Sequence, residues 1–487
     1  MWVKKKNKTA ASDEKNKKMR FNMKVMIFTV VAAYVFMMGY FAYTITTNST
    51  KWLASAYNNR VAVAKKSITP GDILDRNGVV LATSKDGKRT YSGTLETRLA
   101  NSHVVGDNSG AVASGAETLF SMQLYGLDYN NSISIITQIR ANQDKKGDNV
   151  TLTIDSKLNT YLYDALGNYR GAVVLLNYKT GEVYALVSKP GFDPSNISQY
   201  LSDEDDDDGS SELVNRATLG RYTPGSVFKI ITTSAALRYF DDFDTRTYNC
   251  TGSLVLGGVK ISDYDGEKHG TVNILQAFTH SCNSAYALIS KDLGSANLLE
   301  TANRFKFNTS FDFSDFVMAK SNFSTSDQIG DLAWSGIGQY KDTVSPLHMA
   351  MIAGAIANEG VMMEPKLFLK STDSATGSVD QTIKSDAYAT IMTRQEAYKM
   401  QTLMYSVVTD GTGTAAAISG YKVGGKTGTA EVTSNDTKKA HAWFVSFIGD
   451  SKHPLAVAVI LENAGTGGSK AAPIAKKAFT KAIELGY

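Results

Sequence analysis

The sequence predicts an α+β protein in which helices flank an antiparallel sheet, preceded by a small β-rich module and one transmembrane helix. Three observations lead to this prediction. A charge-free apolar run lies near the N-terminus, short alternating segments with turn residues follow it, and helical patterns then lie between a leading and a trailing set of apolar strands. The 487 residues allow two or three domains. With 43% hydrophobic and 20% charged residues, the chain is globular rather than disordered.

The first element is the apolar run of residues 25–43, which has 19 residues and no charge. A helix needs about 20 such residues to cross a bilayer core. Nine Lys or Arg residues lie in positions 1–24, so the positive-inside rule places this basic tail in the cytoplasm and the later residues outside. The run is long for a signal peptide and lacks a small-residue cleavage site after it, which favours an uncleaved anchor over residues 25–44. A nucleic-acid-binding arm is not supported, because no further basic block follows.

The second element is a polar region, residues 45–150, with short alternating segments rich in Asn, Ser and Gly. Residues 68–84 have the pattern of a strand, an Asn-Gly hairpin turn and a second strand. We therefore expect a small β-rich module between the membrane and the rest of the chain.

The third element, residues 151–487, is expected to form one large α+β domain whose antiparallel sheet is built from both ends of the segment. An acidic run at 203–208 is typical of a solvated loop, since it lacks the alternating spacing of a calcium loop. The pattern predicts strands at 150–155, 171–188 (a hairpin), 441–450 and 454–463, and helices at 156–170, 271–305, 345–360 and 471–487.

Within this domain, the stretch RYTPGSVFK places Ser226 after a Pro-Gly turn, at the start of an apolar helix. Free backbone N–H groups and the helix dipole favour negative charge at that position. Lys229 lies one turn later on the same face, among Val, Phe and Ile residues. Burial lowers the pKa of a lysine, so Lys229 is a candidate base for a Ser226 nucleophile. The alternative is that Ser226 only caps the helix and Lys229 extends to water.

Two further short motifs carry reactive side chains. Ser281-Cys-Asn283 is an S-x-N string, and Lys426-Thr427-Gly428 is a K-T-G string on an expected strand. Each motif alone is weak evidence for a catalytic site, because the chain contains other copies of it. Only the motifs of Ser226, Ser281 and Lys426 occur in the order S-x-x-K, S-x-N, K-T-G with each one in a suitable element. The other copies are Ser12–Lys15 and Ser419–Lys422 for the first motif, Ser295–Asn297 for the second and Lys179–Gly181 for the third, which we expect to be structural.

This ordered set resembles the motifs of penicillin-binding transpeptidases and serine β-lactamases. Residues 71–84, 334–360 and 441–450 also resemble segments of class B (monofunctional) penicillin-binding proteins, so the likeness runs from about residue 68 to the C-terminus. The resemblance implies a membrane-anchored D,D-transpeptidase that cross-links peptidoglycan stem peptides and is acylated by β-lactams. It also implies a polytopic glycan-polymerising membrane partner, contacted through residues 20–60 and the β-rich module.

The resemblance also assigns roles to residues. Ser226 is the nucleophile that attacks the penultimate D-Ala carbonyl, and Lys229 is its base. Ser281 passes a proton to the leaving D-Ala with support from Lys426, and Asn283 offers its amide to the substrate backbone. Thr427, Gly428 and Thr429 bind the substrate, the two threonines holding its terminal carboxylate, and the backbone N–H groups of Ser226 and Thr429 form the oxyanion hole.

Other functions fit less well. Residues 420–427 match a P-loop pattern, but no good helix follows them. The six His residues are scattered and give no zinc-hydrolase motif, so we expect no metal and no cofactor. The two cysteines, Cys250 and Cys282, are expected to be free and buried, and Cys282 to pack as a small apolar group.

The nearest alternatives lie within the same fold. They are a β-lactam sensor or hydrolase, a D,D-carboxypeptidase, and a scaffold that recruits the wall-synthesis machinery without catalysis. The E-x-x-x-N context of the deacylating Glu in class A β-lactamases occurs here only as Glu431 to Asn435, after K-T-G, which favours slow deacylation and hence a penicillin target.

Overall fold

The structure is a computed structural model that describes residues 3–53, 68–127, 146–201, 212–430 and 440–487. The chain forms two structural units, residues 1–58 and 59–487. In the first unit, a single long helix, α1 (Val3–Leu53), contains the apolar segment Glu14–Thr44. By length and composition this segment can cross a membrane, and its large apolar side chains are exposed. This agrees with the expected anchor.

The second unit combines strands and helices along its whole length. Its strands are β1 (Ile73–Leu74), β2 (Val80–Lys85), β3 (Lys88–Tyr91), β4 (Asn149–Leu152), β5 (Gly171–Asn177), β6 (Val183–Lys189), β7 (Thr247–Cys250), β8 (Ser253–Leu256), β9 (Val259–Ser262), β10 (Gly270–Asn273), β11 (Val361–Met363), β12 (Phe368–Thr372), β13 (Val379–Thr382), β14 (Ala387–Thr390), β15 (Val423–Ala430), β16 (His441–Ile448) and β17 (Leu455–Leu461). Its α-helices are α2 (Leu95–Val105), α3 (Ala116–Leu119), α4 (Ser121–Leu124), α5 (Ser156–Ala165), α6 (Lys229–Tyr239), α7 (Ile274–Thr279), α8 (Asn283–Arg304), α9 (Ile329–Gly336), α10 (Pro346–Ala357), α11 (Arg394–Thr409) and α12 (Gly467–Glu484).

The central sheet has the order β15-β16-β17-β5-β6, and every pair in it is antiparallel. Strands from the beginning and the end of the domain therefore lie side by side, as the sequence predicts. Both β5 and β17 are buried at every position because helices cover both faces. Along β5, Val173 and Leu175 pack with α5 and α12, whereas Val174 and Leu176 face the larger core that contains α10.

A second sheet has six strands in the order β13-β12-β4-β1-β2-β3. Strands β12 and β13 come from residues 368–382, yet they extend the sheet of β1, β2 and β3 through β4. Strands from both sides of residue 150, the expected module boundary, therefore share one sheet. Among the described residues before that position, α2, α3 and α4 accompany these strands.

The other elements agree with the expected pattern within a few residues. The segment expected to be helical at 271–305 contains the short strand β10 before α7 and α8. The closing helix begins at Gly467 rather than residue 471, and it contains Pro473 in its second turn. The acidic run at 203–208 and the Glu431–Asn435 pair lie outside the described residues.

Candidate active site

Ser226 lies in a short 3-10 helix, Gly225–Phe228, that continues directly into α6. The expected helix start is therefore correct, although its first turn is 3-10 rather than α. Gly225 has a φ of +55°, and a Cβ atom there would lie 2.7 Å from the carbonyl oxygen of Thr429. Only glycine combines this backbone conformation with such a close approach. The turn thus places Ser226 next to β15.

The residues just before Ser226 are held against the central sheet. The hydroxyl of Tyr222 donates to Glu462 at 2.7 Å, and the indole N–H of Trp443 donates to the carbonyl of Thr223 at 3.0 Å. Glu462 also accepts from the buried guanidinium of Arg216 at 2.9 Å. These contacts fix the segment that positions Ser226. The sequence alone did not indicate them, because Trp443 and Glu462 lie more than 200 residues after that segment in the chain.

Lys229 is fully buried at the first residue of α6. Its Nζ donates to the Ser281 carbonyl at 2.6 Å, to Asn283 Oδ1 at 2.7 Å and to Ser281 Oγ at 3.3 Å. Burial removes water from the ammonium group and lowers the pKa of Lys229 to about 8. Among the described residues, Ser226 Oγ has no hydrogen-bond partner, so the hydroxyl is free to turn toward Lys229 or a ligand.

Ser281 and Asn283 flank the start of α8. Ser281 connects α7 to α8 and has a φ of +58°, a conformation that is unusual for a residue other than glycine. Asn283 begins α8, and the Asp263 carboxylate accepts hydrogen bonds from the backbone N–H groups of Asn283 and Ser284. Strained backbone held by several hydrogen bonds is common in functional sites. Here it orients Ser281 toward the lysines.

Lys426 lies on β15, at the edge of the central sheet, and is also fully buried. Its Nζ donates to Ser281 Oγ at 2.9 Å and to the carbonyl of Thr427 at 3.2 Å. Burial, followed by the nearby charge of Lys229, holds the pKa of Lys426 well below its usual range. Ser281 Oγ is thus shared by two lysines that are both disposed to release a proton.

Gly428 of the K-T-G motif lies against the segment that carries Ser226. A Cβ atom on Gly428 would lie 2.9 Å from a methyl group of Val227 and 3.0 Å from the carbonyl of Pro224, so glycine allows β15 to approach that helix. Thr427 Oγ1 is hydrogen-bonded to Thr412 Oγ1 at 2.5 Å. Thr429 is partly exposed on the same strand.

The structure therefore brings together the three motifs that the sequence singled out, and it leaves the other copies apart. Ser419 is exposed, Ser295 lies inside α8, and Lys179 lies in the turn between β5 and β6 with its Nζ 2.9 Å from Asn358 Oδ1. The P-loop-like residues 420–427 lead into strand β15 rather than a helix, which excludes a phosphate-binding loop there.

A second cluster was not foreseen from the sequence. Cys250, Asp263, His269 and Cys282 place one potential metal-ligating atom each within 4.8 Å of all the others. Both cysteines are free and buried, as expected. The four residues are 13, 6 and 13 positions apart and match no common metal motif, so only their proximity in the fold reveals them.

Taken together, a serine at a helix start, a buried lysine one turn later and a second Ser–Lys pair define a serine acyl-transfer enzyme of the S-x-x-K type. Residues 171–480 match the family model of the penicillin-binding protein transpeptidase domain. The chain therefore belongs to the penicillin-binding protein transpeptidases and, within them, to class B.

Similar proteins agree with this family. The peptidoglycan D,D-transpeptidase PbpA of Mycolicibacterium smegmatis is 31% identical over 462 residues, which covers 89% of this chain and 93% of that protein. Penicillin-binding protein A of Mycobacterium tuberculosis, solved as a penicillin G acyl-enzyme complex, superposes with a TM-score of 0.76 at 28% identity and covers 86% of this chain and 100% of that one. The D,D-transpeptidase domain of a peptidoglycan glycosyltransferase from Eggerthella lenta has a TM-score of 0.73 at 29% identity. The superposition covers 86% of this chain and 99% of that domain.

Proposed function

We propose that this protein is a membrane-anchored peptidoglycan D,D-transpeptidase that works through an acyl-enzyme on Ser226. The observation that carries the proposal is the hydrogen-bonded group of Lys229, Ser281, Asn283 and Lys426, which lies one helical turn from Ser226. Burial lowers the pKa of both lysines, and the pKa of Lys229, at about 8, makes its amine a proton acceptor near neutral pH without a histidine.

In the acylation step, Ser226 Oγ attacks the carbonyl carbon of the penultimate D-Ala of a stem peptide. The hydroxyl proton moves to the neutral amine of Lys229. The backbone N–H groups of Ser226 and Thr429 stabilise the oxyanion that forms on the former carbonyl oxygen. Because these donors are fixed before the reaction, they stabilise the charge without reorganising.

The tetrahedral intermediate then collapses and the peptide C–N bond breaks. The leaving amine of the terminal D-Ala takes a proton from Ser281 Oγ, and that hydroxyl is replenished from the lysine pair with which it shares hydrogen bonds. Asn283 Nδ2 donates one hydrogen to the Ser262 carbonyl at 2.9 Å and offers its second to the substrate backbone, while Thr427 and Thr429 hold the terminal carboxylate. An amine from a neighbouring stem peptide finally attacks the acyl-enzyme, which forms the cross-link and releases Ser226.

A β-lactam undergoes only the acylation step. Ser226 opens the four-membered ring and keeps the product as an ester, because the leaving nitrogen stays attached. The described residues contain no carboxylate among the hydrogen-bond partners of Lys229, Ser281 and Lys426, which supports slow hydrolysis of that ester. This favours a penicillin target over a penicillin hydrolase.

The apolar segment of α1 supports a single-pass anchor, with the basic N-terminal tail in the cytoplasm and the transpeptidase domain outside. Such an anchor confines the enzyme to the membrane surface where cross-linking occurs. We also propose a polytopic glycan-polymerising partner that contacts residues 20–60 and the β1–β4 region, since a cross-linker needs newly made glycan strands.

The test is cross-linking by the purified full-length chain in detergent, with uncross-linked glycan strands as substrate. Wild type should release D-Ala and form peptide dimers, and Ser226→Ala should form none. Ser419→Ala is the matched control, because Ser419 begins another S-x-x-K string but is exposed. Release of D-Ala without dimers would favour a carboxypeptidase, and dimer formation by Ser226→Ala would refute the proposed nucleophile.

A further inference from the structure

The face of α12 that points away from the central sheet carries a row of lysines, which we call the basic stripe. Its members, Lys470, Lys477 and Lys481, lie within about 40° of one another around the helix axis, because they are seven and four residues apart. Lys470 and Lys477 are exposed, and the side chain of Lys481 is 33% exposed. The row is about 16 Å long. The only acidic residue in this helix is Glu484, so the stripe is strongly basic.

Two tyrosines from α5 and the segment after it border the basic stripe. The Nζ atom of Lys481 lies 5.6 Å from the ring centroid of Tyr161, and the Nζ atom of Lys470 lies 5.7 Å from the ring centroid of Tyr169. A cation–π contact orients an ammonium group without neutralising it. The tyrosines therefore hold both ends of the stripe in place and leave its positive charge available to a partner.

Ion pairs compensate little of this charge. Lys481 contacts Glu484 at 3.1 Å, but both side chains are partly exposed, and such a pair is weak. Lys470 and Lys477 form no ion pair with any residue that the structure describes. Lys476, on the same exposed side of the helix, adds a further positive charge. An anionic partner therefore meets a row of amines whose charge is mostly unshielded.

The basic stripe begins close to the K-T-G motif. At the start of α12, a Cβ atom on Gly467 would lie 2.5 Å from the carbonyl oxygen of Gly428, and a Cβ atom on Gly468 would lie 3.7 Å from Thr427 Cγ2. These glycines let the helix start directly against β15. Lys470 follows within one helical turn. A long polymeric substrate can therefore contact both the stripe and the strand that carries the K-T-G motif.

The apolar face of α12 argues against a lipid surface as the partner. A helix that lies on a membrane inserts apolar side chains next to its lysines. In α12 these side chains, which include Ile474, Ala478 and Phe479, are buried in the core beneath the central sheet instead. The exposed side offers charge and two tyrosine rings, which suits a water-soluble anionic polymer.

We propose that the basic stripe binds uncross-linked peptidoglycan strands as a second contact outside the active site. This inference rests on the proposed function, in which each uncross-linked stem peptide ends in a carboxylate. A strand therefore carries a row of negative charges, which the row of lysines complements. The contact holds a strand near Ser226 while its stem peptides react. It lowers the KM for strands and leaves the chemistry of acylation unchanged.

The test compares two triple variants of the full-length chain in detergent. The stripe variant removes three charges from α12 by Lys470→Gln, Lys477→Gln and Lys481→Gln. The control variant removes three charges at exposed positions outside α12 by Lys291→Gln, Lys320→Gln and Lys384→Gln. Both variants and their parent carry Ser226→Ala, so that strands bind without turnover. The measured quantity is the dissociation constant for fluorescent uncross-linked glycan strands at several salt concentrations.

The stripe variant should bind strands about tenfold more weakly than the parent at low salt, because three exposed charge contacts are lost. Its affinity should also depend less steeply on salt, whereas the control variant should match the parent. An unchanged affinity of the stripe variant, or an equal loss in the control variant, would overturn the proposal. So would a loss of affinity for polyglycerol phosphate but not for peptidoglycan strands, which would assign the stripe to another wall polymer.

A second measurement separates this proposal from the proposed function. With Ser226 present, the stripe variant should be acylated by penicillin G at the wild-type rate and should unfold at the wild-type temperature. Slower acylation would show that the stripe supports the fold of the active site rather than strand binding, and would overturn the proposal. Strand binding is measured without turnover, so it can succeed even if Ser226 is not the nucleophile, and it can fail although Ser226 is.

Discussion

Replacing Lys229 with arginine keeps the positive charge but removes the proposed base. Burial lowers the pKa of Lys229 to about 8, so roughly a fifth of the chains carry the neutral amine at a pH of about 7.4. A guanidinium has a pKa above about 12, and its neutral fraction at the same pH is about 10⁻⁵ or less. General-base catalysis contributes about 10²–10⁴-fold, which limits how much rate can be lost. We therefore expect Lys229→Arg to slow acylation by about 10²–10⁴-fold.

The assay is the rate constant for acylation by a fluorescent penicillin, measured between about pH 6 and 10. The lysine accepts a proton only in its neutral form, so the wild-type rate should rise as pH increases through the lowered pKa and level off above it. Lys229→Arg should be slow throughout and should lack this rise. The matched control is Lys291→Arg, the same change at an exposed position of α8, which should behave as wild type. Fast acylation by a folded Lys229→Arg chain would refute Lys229 as the base.

Three further changes test the surroundings of the site. Ser281→Ala removes the hydroxyl shared by the two lysines, so acylation should slow by about 10²-fold while the thermal unfolding temperature changes little; an unchanged rate would exclude Ser281 from proton transfer. Gly428→Ala places a methyl group 2.9 Å from Trp443 Cβ, so it should destabilise the fold by about 1–3 kcal/mol and reduce penicillin labelling, and unchanged labelling and stability would mean that β15 can move away. Glu462→Gln removes the negative charge that the Arg216 guanidinium and the Tyr222 hydroxyl contact, so denaturant unfolding should show a loss of about 1–3 kcal/mol, and unchanged stability would contradict this account of the anchoring contacts.

The sequence predicted strands β5, β6, β16 and β17 of the central sheet because they are mainly apolar runs. It also singled out the S-x-x-K string of Ser226, which the structure brings next to the S-x-N and K-T-G motifs. The buried, low-pKa state of Lys229 followed from its apolar neighbours in the helix.

What the sequence did not reveal depends on contacts between distant residues. Strands β12 and β13 join the sheet of β1–β4 although more than 200 residues separate them from β4, and their short polar segments carry little strand signal. The proximity of Cys250, Asp263, His269 and Cys282 was not predicted for the same reason. Cys250 and His269 are brought together by the pairing of β7 with β10, which no local spacing records.

The central claim is that Ser226 carries the acyl group, and peptide mapping of the penicillin G adduct tests it most directly. The wild-type chain should show the full mass of penicillin G on the proteolytic peptide that contains Ser226 and nowhere else. The Ser226→Ala chain, folded to the same unfolding temperature, should show no adduct. An adduct on any other residue, or an adduct that persists in Ser226→Ala, would contradict the account.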